Sequence, residues 1–211
     1  MKKERKRALV FLADGSEEIE AVTAIDVLRR GGVEVVATSV ADKREVVCSR
    51  GVRVAADAIL PEDEGEALRF AEGFDAVVVP GGMGGVNAMR DDVRVLSILR
   101  AAQSHGAVVA ALCAGPIVLG AAGVLDGRQF TCYPGLEDMV PGAGIFAGDE
   151  ETILCSDNGV VTSTGPATAL PFALQVLEFL GVPVAKVAKE TLYGDWDTNI
   201  IGKNVERQVG C

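Results

Sequence analysis

The chain has 211 residues, 49% of them apolar and only 5% aromatic, and carries a net charge of −10 at pH 7. That length fits one α/β domain over residues 1–211, with a core that must be built from Val, Leu, Ile and Ala. The acidic balance argues against a nucleic-acid groove, and no apolar stretch approaches the length of a membrane span.

Residues 1–6 are a basic leader within the run KKERKR (Lys2–Arg7); the apolar piece that follows is too short for a signal peptide, and Asp14 ends it. Ala8–Ala13 reads as the first strand. Glu17–Arg30 reads as a helix, with Ala21, Ala24, Ile25 and Leu28 at helical spacing. Ser16 is its expected N-cap, Glu17 and Glu18 suit the positive end of its dipole, and Gly31-Gly32 ends it. Val33–Val40 is the second strand. Val46–Ala56 holds short β-prone pieces that fit a hairpin on the sheet edge. Ala76–Val79 is a third buried strand running into Pro80-Gly81-Gly82. Val95, Ile98, Leu99 and Ala102 mark the next helix. Ile153–Cys155 and Val160–Ser163 form a late strand pair about the turn signal Asp157-Asn158-Gly159. A last helix begins near Pro166, with Ser163 or Thr164 as its cap and Leu170, Ala173, Leu174 and Leu177 along one side. Strands alternating with helices predict a mostly parallel sheet covered on both faces.

The most informative stretch lies between these, where the strand Ala107–Leu112 stops at Cys113 and passes into Ala-Gly-Pro. Gly115 tolerates unusual backbone angles and Pro116 fits a first helical turn, so Cys113 is expected on a strand-to-helix corner. A helix N-terminus there would lower a thiol pKa from about 8.5 to roughly 3.5–7.5 and make a nucleophile of it. An unpaired cysteine at the end of an apolar strand is otherwise ordinary core. Five widely spaced cysteines without a C-x-x-C pair, and His105 as the only histidine, point to neither a disulfide framework nor a metal site. A reducing cytoplasm fits this usage.

Ligands of open α/β sheets bind beyond the carboxyl ends of the strands. Here those ends are Asp14-Gly15-Ser16, Pro80-Gly81-Gly82, Cys113-Ala114-Gly115 and Ser163-Thr164-Gly165-Pro166. Glu20, deeper in the first turn than Glu17 and Glu18, is placed to turn back over the strand ends towards Cys113. The PGGMGG loop matches no phosphate-binding motif and reads first as a tight turn, so no nucleotide cofactor is expected.

Five segments in order carry a resemblance: GSEEIEA (Gly15–Ala21), CSRG (Cys48–Gly51), VVVPGG (Val77–Gly82), ALCAGP (Ala111–Pro116) and TSTGPAT (Thr162–Thr168). Together they resemble the ThiJ/PfpI superfamily, in the branch of the parkinsonism-associated protein DJ-one and bacterial YajL, from about Arg7 to Lys189. The resemblance implies a flavodoxin-like three-layer sandwich with a cysteine nucleophile elbow, usually a homodimer. It implies that Cys113 is the nucleophile, that Glu20 is a buried protonated acid donating to its sulfur, and that Gly82 and Ala114 supply backbone donors. Arg50 would lie near the dimer interface and the site mouth, with Gly81, Tyr133 and Pro166 as further pocket or interface candidates. The activity implied is a glutathione-independent glyoxalase or deglycase acting on small 2-oxoaldehydes or early glycation adducts, with no cofactor. The alternative is a non-enzymatic sensor or chaperone-like protein that uses oxidation of the same cysteine.

Two departures matter. Tyr133 stands where the family pattern has a histidine, and Tyr, with a reference pKa near about 10, is a poor base at neutral pH. Ala114 stands where peptidase members carry histidine, so no peptidase is expected. The C-terminal extension, residues 194–211, has no counterpart in the resemblance.

Overall fold

The computed structural model describes residues 5–147 and 154–194; the first four residues of the leader, Ile153 and the extension beyond Gly194 lie outside them. In chain order the elements are β1 (Arg7–Leu12), α1 (Glu18–Arg30), β2 (Glu34–Ser39), β3 (Glu45–Val47), β4 (Arg53–Ala55), β5 (Ala58–Ile59) and α2 (Glu64–Ala71). They continue through β6 (Ala76–Val79), α3 (Met83–Arg90), α4 (Val93–Ser104), β7 (Val108–Leu112), α5 (Pro116–Ala121), β8 (Gln129–Phe130) and β9 (Ile145–Phe146). The last are β10 (Leu154–Asp157), β11 (Val160–Ser163), α6 (Ala169–Phe179) and α7 (Ala185–Glu190).

The main sheet runs β10-β11-β7-β6-β1-β2-β5, with only the β10–β11 pair antiparallel. Its central strands β6 and β7 are apolar and buried throughout, and β1 is so beyond Arg7, so successive side chains enter opposite cores. In β1, Ala8, Val10 and Leu12 join the core under α1 and α6, while Leu9 and Phe11 join the core under α2 to α5. Val77 and Val79 of β6 separate from Ala76 and Val78 in the same way. The result is the expected three-layer, mostly parallel α/β sandwich.

Local chemistry corrects several expectations. Glu17, not Ser16, caps α1: its carboxylate accepts from the Glu20 amide at 2.9 Å. Ser16 is fully buried, and its hydroxyl accepts from Ala13 N at 3.0 Å, closing the turn that leaves β1. The Val46–Ala56 segment does form an antiparallel hairpin, β3–β4, but as a separate two-stranded sheet; β5 forms the edge of the main one. The hairpin is latched over the start of α1 by Val47 N to Asp14 Oδ1 (2.8 Å), Gly15 N to Val47 O (2.8 Å) and Ser49 N to Ser16 O (2.9 Å). The loop PGGMGG is a turn only at Pro80-Gly81-Gly82, and from Met83 it becomes α3. Glycine is a poor helix former, yet these positions need it. A Cβ at Gly85 would sit 2.6 Å from Ser16 Oγ, so close approach to the β1 turn selects residues that propensity alone would reject.

Candidate active site

Cys113 follows β7 directly, and β7 lies between β6 and β11, so the sulfur stands between the loops leaving those two strands. Its φ is +59°, a conformation that L-residues with a side chain avoid at a cost of about 1–3 kcal/mol. Both of its backbone groups are pinned. Cys113 N donates to Ser163 O and Tyr133 N donates to Cys113 O, each at 2.9 Å. The unusual backbone angle therefore falls on Cys113 itself, a correction to the expectation placed on Gly115, whose φ is −55°. Gly115 is needed for space: a Cβ there would lie 2.6 Å from Val79 O. Pro116 opens α5 as expected.

The first turn of α1 faces this corner. Glu20 is fully buried, and its Oε2 accepts from Gly81 N at 2.7 Å. Gly81 is the point where carboxyl and cysteine converge, since a Cβ there would be 2.6 Å from both Glu20 Oε2 and Cys113 Cβ, and 3.0 Å from Sγ. The same loop is held from the other side by Glu17 N donating to Gly81 O at 2.9 Å. Glu20 and the Cys113 thiol interact directly, and the Ala114 and Gly82 amides act on the sulfur as donors. The second carboxyl oxygen of Glu20, Oε1, is buried without a hydrogen-bond partner.

Burial pushes Glu20 up to about 7, against the pull of the Gly81 amide. Burial also pushes Cys113 up to about 12, assisted by the charge of Glu20 and its hydrogen bond, while the Ala114 and Gly82 amides pull it down. This corrects the expected net lowering by a helix N-terminus. The donors are present, but a six-residue helix cannot outweigh desolvation and a neighbouring carboxylate.

Two groups this close titrate as a pair, and the first proton lost near neutrality belongs to both. Where the remaining proton sits is a balance of donors. An ordinary thiol binds its proton more tightly than an ordinary carboxyl by about 6 kcal/mol. Against this, each amide donated to a charged acceptor contributes about 1.5–3 kcal/mol, and the sulfur has two where the carboxylate has one. An ionised Glu20 also leaves Oε1 buried without a donor, whereas a neutral acid can turn that oxygen's proton towards sulfur. These terms narrow the gap between the thiolate–acid form and the thiol–carboxylate form.

The remaining candidates are spread around the corner. Tyr133 is half exposed, with its ring against Gly165; Pro166 is half buried in the short 3-10 turn that follows. That turn is organised by Thr168, whose hydroxyl receives Gly165 N (3.1 Å) and Ser163 Oγ (2.6 Å); neither Ser163 nor Thr164 caps a helix here, contrary to expectation. Arg50 is exposed on the hairpin, and its guanidinium bonds Ser49 O rather than either member of the Cys113–Glu20 pair.

Glu18 is the residue that sequence reasoning undervalued. It is buried and accepts from Ser49 Oγ and Arg50 N, both at 2.8 Å. Burial works against its ionisation, but donors from its own backbone, Ser49, Arg50 and Val52 prevail and hold it below the usual carboxylate range. Two carboxylates two residues apart on one helix thus do opposite things: Glu18 anchors the hairpin as an anion, and Glu20 meets the thiol with its pKa raised.

A cleft of about 680 Å³, lined in part by Lys6, Phe74, Asp75, His105 and Phe179, opens at the amino ends of the strands, at the opposite end of the sheet from Cys113. His105 is therefore remote from the thiol. Among the described residues no cluster of three or more His, Cys, Asp or Glu is arranged to hold a metal ion, and no helix is long and apolar enough to cross a membrane.

Comparison with known proteins follows the same outline. The model of the DJ-1/PfpI family matches residues 6–179. Protein dj-1beta of Drosophila melanogaster is 39% identical over 189 residues, spanning 89% of this chain and 97% of that protein. Its crystal structure matches with a TM-score of 0.80, covering 90% of this chain and 98% of the other. Glutathione-independent glyoxalase DJR-1.2 of Caenorhabditis elegans is 33% identical over 180 residues, 85% of this chain and 91% of its own length. The structure described as Toxoplasma gondii DJ-1, oxidized, has 38% identity and a TM-score of 0.80, covering 90% of this chain and 99% of that one.

Proposed function

The chain belongs to the DJ-1/PfpI family, and from that premise we propose that it is a Cys113-dependent glyoxalase that needs no glutathione and converts methylglyoxal to lactate. The observation that carries this reading is the buried Glu20 carboxyl facing a thiol with its own amide donors, a pair able to hold one proton and exchange it. The relative named as a glutathione-independent glyoxalase supports the substrate class.

The chemistry follows from the groups in place. The Cys113 thiolate adds to the aldehyde carbon of methylglyoxal, forming a C–S bond and placing charge on the carbonyl oxygen. The Ala114 and Gly82 amides, which hold the sulfur's charge beforehand, stabilise that oxygen as charge leaves sulfur. Glu20 gives its proton to the oxygen and becomes a carboxylate. It then takes the proton from the former aldehyde carbon, leaving an enediolate, and returns it to the neighbouring carbon while the hydroxyl proton passes to the neighbouring oxygen. The product is a lactoyl thioester on Cys113; water hydrolyses it to lactate, and release of one proton leaves the pair as thiolate and acid again. Early glycation adducts of small amines and thiols would enter by the same attack. Tyr133 supplies a hydrogen-bond donor rather than a base, so the proton transfers rest on Glu20.

A homodimer is part of this reading. Ile19 and Val22 of α1 and Val52 of the hairpin are exposed apolar side chains on two elements that Glu18 ties together, with Arg50 beside them. A second copy covering this face would bring Arg50 into an enclosed setting near the site mouth.

The test is lactate formation from methylglyoxal without glutathione. Cys113→Ser is expected to reduce it to the uncatalysed background, and equal rates from the serine variant would overturn the reading. Redox sensing is the second reading, favoured by the oxidized state in which the Toxoplasma relative is described. It predicts that peroxide adds two oxygens to Cys113 ahead of the other cysteines in a protein that forms no lactate.

A further inference from the structure

We infer that Tyr133 is a wall of the thiol's mouth that confines Cys113 to small free 2-oxoaldehydes and shuts out aryl-substituted and protein-bound carbonyls. The inference rests on the glyoxalase reading for its substrates, while the wall itself rests on geometry.

Cys113 stands between the ends of β6 and β11, and the two sides of its mouth differ. On the β6 side, Gly81 and Gly82 present backbone alone, and the side chain that follows, Met83, is partly exposed. On the β11 side stands an aromatic ring. Tyr133 cannot drift away, because its amide is bonded to Cys113 O at 2.9 Å and its carbonyl receives Leu136 N at 3.0 Å. Its ring lies against Gly165, where a Cβ would come 3.5 Å from Cδ2 and 3.8 Å from Cε2. Gly165 has an extended backbone that any residue could adopt, so what its missing side chain provides is a seat for the ring.

Tyr133 is 49% exposed and belongs to neither core cluster. A side chain tethered through its backbone to the nucleophile, seated on a glycine and open to solvent acts on what approaches the sulfur. Methylglyoxal carries a methyl group on its ketone and passes such a wall. A phenyl group, or an adduct still attached to a protein, meets the ring.

Two measurements separate the wall from the enzymatic reading. In the first, Cys113 is alkylated by iodoacetamide and by the bulkier iodoacetanilide; sulfur displaces iodide in both, and mass spectrometry reads the site. Tyr133→Ala is expected to raise the iodoacetanilide-to-iodoacetamide rate ratio by at least about 10-fold, Tyr133→Trp to lower it, and Tyr133→Phe to keep it, because the ring and not the hydroxyl is the barrier. The Trp variant keeps an aromatic at the seat, so the comparison survives if the Ala variant folds poorly. In the second, kcat/KM for phenylglyoxal relative to methylglyoxal is expected to follow the same order. A ratio that does not change in either the Ala or the Trp variant overturns the wall. A ratio that shifts in the alkylation arm while wild-type protein turns over no dicarbonyl keeps the wall and removes the substrate reading.

Discussion

Replacing Glu20 by glutamine is expected to lower kcat for methylglyoxal by about 10²–10⁴-fold, the usual worth of a positioned acid–base group, with little change in KM. The substitution keeps the size of the side chain and an oxygen to accept from Gly81 N, so the loop leaving β6 should stay in place. What it removes is the exchangeable proton. The amide can neither protonate the oxygen formed by thiolate attack nor carry a proton from one carbon to the next. Loss of kcat with KM nearly preserved is the signature of an interaction made only in the transition state. A variant that retained more than a tenth of wild-type turnover would mean that some other group moves the proton, and Tyr133 would be the first to examine.

Gly81→Ala is expected to damage the site severely. Adding a methyl group where Cys113 Cβ and Glu20 Oε2 each lie 2.6 Å away forces the two apart or displaces the loop. Neither neighbour is the far end of a flexible chain free to swing aside: Cys113 is pinned at both backbone groups, and Glu20 is fully buried. Overpacking of this kind costs about 1–3 kcal/mol, and a displacement of about 1 Å at a reacting atom costs about 10²-fold in rate. Chemical denaturation together with Cys113 alkylation measures both. Gly159→Ala is the control: it places a side chain at φ +80° in open space, so it should cost backbone strain without touching thiol reactivity. Wild-type reactivity in the Gly81 variant would show that the pair does not depend on this contact.

The parts of the fold that could be read from sequence were those with one dominant cause. β1, β6 and β7 are apolar runs because both of their faces are covered, and α1 shows helical spacing over three turns. α2 buries only Ala67, and α3 begins with Met-Gly-Gly, so neither has a pattern to read. Tertiary contact, such as Gly85 against Ser16, decides them instead.

The site divides in the same way. A cysteine that ends an apolar run just before Ala-Gly-Pro marks an elbow without further help. Which of Glu17, Glu18 and Glu20 meets the thiol depends on where the hairpin and the Gly81 loop arrive, and those are contacts between residues 31 to 61 positions apart. The direction of the thiol's pKa is not legible in the sequence for a related reason. The helix start is a local signal, whereas desolvation and the Glu20 charge arise only once distant segments close around the sulfur.

The central claim is that Glu20 and Cys113 share one proton near neutrality and that the thiolate–acid form reacts. The most direct measurement is the pH profile of Cys113 alkylation by iodoacetamide in wild-type protein and in Glu20→Gln. Thiolate exists only once the pair has lost its first proton, so the wild-type rate should rise through about pH 7 and level off, then rise again only towards about pH 12 as the second proton leaves. Glu20→Gln should lose the neutral step. A wild-type rate that stays near zero until about pH 12, or a neutral step that persists in the glutamine variant, would contradict the account.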